Sequence, residues 1–76
     1  MKIRKHFGMV GITREDFYKF IMPHLSAEVV KISEGKRGIS VTLRFEINDD
    51  FDSKEIDTTM QYLIDSVYAQ KYSKIN

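Results

Sequence analysis

The sequence predicts a two-layer α+β domain: a small antiparallel sheet packed against two helices, in the order β-α-β-β-α. Three observations carry this expectation. Ile39, Val41, Leu43, Phe45 and Ile47 alternate with Ser40, Thr42, Arg44 and Glu46, the pattern of a strand with one wet and one dry face. Just upstream, Val30 and Ile32 alternate with Lys31 and Ser33. Two other stretches, 17–25 and 56–67, space their apolar residues at helical intervals instead.

The elements follow in order. In residues 1–11, Ile3, Phe7 and Met9 alternate with Lys2, Arg4 and His6, which suggests a short N-terminal strand. The first helix starts at Thr13, a good N-cap, with Asp16 three residues on in place of the capping-box Glu. Ile12 and Phe17 can form a hydrophobic staple. Pro23 lacks an N–H and clashes with the carbonyl of Lys19, so the helix should end or kink near Met22. A two-residue turn on Gly35-Lys36 would pair Ile32 with Ile39 and Val30 with Val41, with Gly35 at positive φ in a type II′ turn. In the second helix Asp52 is the expected cap and Phe51 with Ile56 the expected staple. Ile56, Met60, Leu63, Ile64 and Val67 form its apolar stripe, and Lys71 and Lys74 fall where the helix dipole favours cations.

Seventy-six residues make one domain, 1–76, with a marginal core. There is no cysteine, which excludes disulfides and thiolate metal sites and favours a reducing, cytoplasmic location. No apolar run reaches the roughly 18–20 residues of a membrane span, and no signal peptide is evident. Charged residues are 30% and hydrophobic residues 42%, which fits a folded chain rather than a disordered one. The net charge of +1 hides an asymmetry: residues 1–20 hold five Lys/Arg against two acids, and residues 48–76 three against six. A near-neutral total argues mildly against a dedicated nucleic-acid binder, although local patches can form.

No catalytic constellation stands out. His24 has no metal-ligating neighbour at helical spacing and reads as a half-buried helix-end residue, and His6 sits in a basic run. The acids Asp49, Asp50, Asp52, Glu55 and Asp57 lack the central glycine of a calcium loop and read as a solvated loop and helix cap. No cofactor or metal is therefore expected. Gly35-Lys36-Arg37-Gly38 spells the GxxG of KH domains, but there the loop joins two helices and here two strands, so that likeness is rejected. Lys31 and Arg44 lie on the wet face, diluted by Thr42 and Glu46, with no aromatic residue beside them for base stacking. A domain this small also has little room for a pocket of roughly 300 Å³ or more, so an enzyme is not expected.

Two binding functions remain. The first is a small non-enzymatic protein-binding regulator, an inhibitor or adaptor occupying a partner's surface through Lys36, Arg37, Tyr62 and Val29. Tyr62 points to the solvent side of its helix, and the expected register puts Val29 on the wet face beside Thr42. The second is a nucleic-acid-associated protein using Lys2, Arg4, Lys5, Lys36 and Arg37. Exposed edges, with strand 39–47 long and free of proline, also point to a homodimer.

Overall fold

Strand alternation, helix capping and one proline set most of the architecture. The computed structural model describes residues 1–48 and 53–72. The elements are β1 (Lys2–Val10), α1 (Arg14–Asp16), β2 (Ala27–Glu34), β3 (Gly38–Glu46) and α2 (Lys54–Tyr72). α1 continues without a break into a π-helical turn, Phe17–Ile21, and a 3-10 turn, Met22–His24. The sheet is antiparallel with strand order β1-β3-β2. The N-terminal strand is thus longer than the alternation of Ile3, Phe7 and Met9 alone suggests.

The capping box forms as the sequence implies. Thr13 Oγ1 accepts from the Asp16 N–H at 3.1 Å, and the Asp16 carboxylate accepts from the Thr13 N–H at 3.0 Å. Ile12 and Phe17 are both fully buried in one core. The chain leaves α-helical geometry before Pro23, whose ring cannot accommodate the Lys19 carbonyl in a regular turn. His24 is exposed at the end of this segment rather than half-buried. The Asp52 cap, the Phe51–Ile56 staple and Lys74 lie outside the described residues, as do Asp49 and Asp50.

The dry face of the sheet meets α2. Ile56, Met60, Leu63, Ile64 and Val67 share one buried cluster with Met9, Ile39, Val41, Leu43 and Phe45. The last turns of α2 clamp the β1–α1 corner. Tyr68 donates its hydroxyl proton to the Val10 carbonyl, Tyr72 donates to the Gly11 carbonyl at 2.9 Å, and Lys71 Nζ donates to the same carbonyl at 3.0 Å.

The hairpin differs from the expected register. Ile32 pairs with Val41 and Glu34 with Ile39, so the tip is Lys36-Arg37 with Gly35 and Gly38 as the closing pair. A slide of two residues keeps every side chain on its face, so alternation cannot distinguish the two registers. The third strand decides. The Gly11 N–H donates to the Arg37 carbonyl at 2.6 Å, and a Cβ on Gly38 would lie 2.0 Å from the Met9 oxygen. Gly38 has φ 154°, whereas Gly35 lacks positive φ. The demand for glycine therefore falls on Gly38, where β1 passes, and the II′ turn on Gly35 is not formed.

β2 also carries a bulge between Val29 and Lys31. The extra residue resets the phase, so Val29 opposes Leu43 and packs against the core while Val30 is exposed. The expected placement of Val29 on the wet face is thereby reversed. Strand β3, whose length suggested an exposed edge, is the central strand, and the edges are β1 and β2.

Candidate functional site

The face of the sheet away from α2 is uncovered, and the strand order lays its residues out in rows. Near the tip, Val10 opposes Gly38. Next come Gly8, Ser40 and Ser33, then His6, Thr42 and Lys31, then Arg4, Arg44 and Glu28, and finally Lys2 with Glu46. The centre of the face is therefore small and hydroxyl-bearing. Of its flanks, β1 carries Lys2, Arg4 and His6, and β2 carries Lys31 with Glu28.

Near the tip the small rows leave an open trough of about 480 Å³, lined in part by Gly8, Ser33, Ser40, Lys36 and Arg37. That exceeds the pocket size a domain this small was expected to hold; the space exists because side chains are missing from the row, not because a cavity is enclosed. Glu34 borders the trough, but its carboxylate accepts from the Arg14 N–H at 3.0 Å. His6 Nδ1 and Thr42 Oγ1 lie 3.0 Å apart at the middle of the face.

Arg44 is engaged with Glu28 through Nε at 2.9 Å and through a closer Nη2 contact. The hydrogen bond from Arg44 holds the Glu28 carboxyl below its usual range, and the guanidinium charge adds to this. Arg4, Lys31, Lys36 and Arg37 form no ion pair among the described residues. Lys2, Arg4, Lys31, Lys36 and Arg37 thus give this face and its tip an excess of positive charge over Glu28 and Glu46.

The residues singled out from sequence separate into two groups. Lys2 and Arg4 lie on the open face, and Lys36 and Arg37 stand at its tip. Lys5 does not join them. It alternates onto the covered face, with a side chain 22% exposed, and pairs with Asp57 of α2 at 2.8 Å. Tyr62 is 70% exposed on α2, in the other layer, and Val29 packs toward the core. The set proposed for a protein partner is therefore spread over three places, while most of the nucleic-acid set shares one surface. Sequence reasoning undervalued Lys31 and His6. The alternation marked their face, but only the order β1-β3-β2 brings them into one row.

The other perturbed groups lie at the α1–α2 junction. The hydrogen bond from Lys71, at 2.7 Å, holds the Asp16 carboxyl below its usual range, aided by the Thr13 N–H. The same bond holds Lys71 above its ordinary value. All three shifts favour the charged form.

The chain matches no known family model, no curated protein and no solved structure. No helix among the described residues is long and apolar enough to cross a membrane.

Proposed function

We propose that this protein is a non-enzymatic binding module whose working surface is the open sheet face, and that its partner is a nucleic acid held through phosphate. The observation that supports this most is the gathering of Lys2, Arg4, Lys31, Lys36 and Arg37 around a centre of Gly8, Ser33, Ser40 and Thr42. Nucleic-acid interfaces are more polar and more cationic than protein interfaces. Protein interfaces instead place aromatic or other apolar anchors at their centre, and this face has small polar residues there. Catalysis has little support: the groups with shifted pKa are all ion-paired and driven toward charge, the opposite of an acid or base poised near neutrality. A cytoplasmic location fits a cysteine-free chain of this kind.

A mobility-shift assay with sheared DNA tests the proposal. Replacing both Arg4 and Lys31 by Gln should weaken binding and lower its salt dependence by about one unit of log–log slope per charge removed. Lys5→Gln should leave the salt slope unchanged. Binding that is absent, or that ignores the Arg4 and Lys31 changes, refutes it.

The second reading is a protein-binding regulator, supported by the exposure of Tyr62 on α2. Capture of a protein that survives nuclease treatment and is lost on Tyr62→Ala would favour it. Edge-to-edge homodimerisation meets two obstacles. β1 carries the inward-facing Lys5, and β2 carries the bulge at Val30; both are devices that oppose strand addition.

A further inference from the structure

Resting on that reading, we infer that the open face takes duplex DNA by its two phosphate backbones, with β3 set over the groove, rather than a single strand by its bases. The first observation is the placement of charge. Lys2 and Arg4 lie on β1 with His6 next in line, and Lys31 lies on β2 one row from Glu28. Lys36 and Arg37 form the turn between β2 and β3, where the Arg37 carbonyl accepts from the Gly11 N–H beyond β1. β1 and β2 flank β3, so Lys31 lies roughly 9–10 Å across the sheet from the β1 strand, two strand spacings. The major groove of B-form DNA is about 12 Å wide between its phosphate walls. The cations are offset along the strands: Lys2 and Arg4 lie at the end away from the tip, and Lys31 and the turn pair lie nearer to it. A groove would cross the sheet obliquely. From Lys2 to His6 the strand covers about 13 Å, the axial span of about four phosphates on one DNA strand.

The second observation is Gly8. Glycine in a strand interior destabilises the strand relative to alanine. Nothing in the fold requires it here. Gly8 lacks positive φ, and a Cβ added to it would meet no atom within 4 Å. A glycine without an internal cause, on an outward-facing position beside Ser40, suits the close approach of a ligand.

The third observation concerns bases. Single strands are gripped by aromatic platforms on which successive bases stack. Among the described residues the open face has no Phe or Tyr. Phe7, Phe17, Phe20, Phe45 and Tyr68 belong to the core or pack against it, or occupy the helical layer. The single imidazole, His6, is engaged with Thr42. Ser33, Ser40 and Thr42 supply hydroxyls, which bond phosphate and sugar without reading sequence.

Fluorescence anisotropy on the full chain tests this with three labelled probes: a mixed-sequence DNA duplex of about 20 base pairs, an oligo-dT strand of equal length and polyglutamate. The expected result is duplex binding about tenfold or more tighter than oligo-dT, with a log–log salt slope of about −4 to −5 from the five face and tip cations. Polyglutamate should not compete. Gly8→Glu, which adds an acid to open space, should weaken duplex binding more than about tenfold while the melting temperature stays at or above that of the parent. Oligo-dT binding as tight as the duplex overturns the duplex inference and leaves the nucleic-acid reading standing. Binding of polyglutamate alone, or of no probe, overturns both. Duplex binding untouched by Gly8→Glu in a folded protein places the site elsewhere and overturns the inference.

Discussion

The two faces of one sheet are built from the same three strands and put to opposite uses. The covered face spends its positions on Met9, Ile39, Val41, Leu43 and Phe45, and α2 completes the core over them. The open face holds Gly8, Ser33, Ser40 and Thr42 between cations, and no element of the described structure lies on it. Residues adjacent in sequence therefore differ sharply in consequence. Arg4 and Lys5 show this well: Arg4 is exposed among cations, while Lys5 turns inward to Asp57. The lesson is that stability and binding are separable here by strand parity.

Substitutions can break or sharpen that contrast. The largest effect belongs to Gly38, where φ 154° and the Met9 backbone leave no room for a side chain. Gly38→Val should cost more than about 3 kcal/mol and leave no folded protein by circular dichroism. Gly35→Ala, with only one atom at 3.9 Å from the added Cβ, should change stability by under about 0.5 kcal/mol. Next is the covered face. Leu63→Ala should cost about 2–3 kcal/mol in urea unfolding by opening a cavity under α2. Its neighbour Tyr62→Ala should cost less than about 0.5 kcal/mol; equal losses would refute the helix phase.

A smaller effect belongs to the α1–α2 junction. Asp16 has a folded-state pKa below its ordinary value, chiefly through the Lys71 hydrogen bond. Its contribution is full above the ordinary carboxylate range and is lost as pH falls through the lowered folded value. Asp16→Asn should cost on the order of 1 kcal/mol at neutral pH. Its melting temperature should then fall less than the parent's on acidification below about pH 4. Parallel acid profiles for the two proteins would show that the bond carries no pH-dependent stability. The smallest effect is expected on the open face, where Arg4→Gln with Lys31→Gln should shift stability by under about 0.5 kcal/mol. A large loss there would erase the division between the faces.

Much of the fold was legible in the sequence because it rests on local chemistry. Thr13 and Asp16 announced the helix start, Pro23 its irregular end, and the stripe from Ile56 to Val67 the buried side of α2. What stayed hidden was set by contacts between distant segments. The register depends on β1 pressing against Gly38, 28 residues or more from its partners Met9 and Val10, so Gly35 drew the attention that Gly38 required. The bulge at Val30 shows in the apolar pattern only as the doublet Val29-Val30, which does not say which valine faces the core, and it exchanged the roles of the two. For the site, parity showed that Lys2, Arg4, Lys31 and Arg44 point away from the core. It could not show that β3 runs between β1 and β2, which is what makes those residues one surface.

The most direct test of the open face as the working surface is an amide NMR titration of the full chain with a DNA duplex. The expected result is chemical-shift change concentrated at Arg4, His6, Gly8, Lys31, Ser40, Thr42 and the Lys36-Arg37 tip, with the amides around Tyr62 unmoved. Shifts centred on Tyr62 and the outer side of α2, with the sheet amides silent, would contradict it.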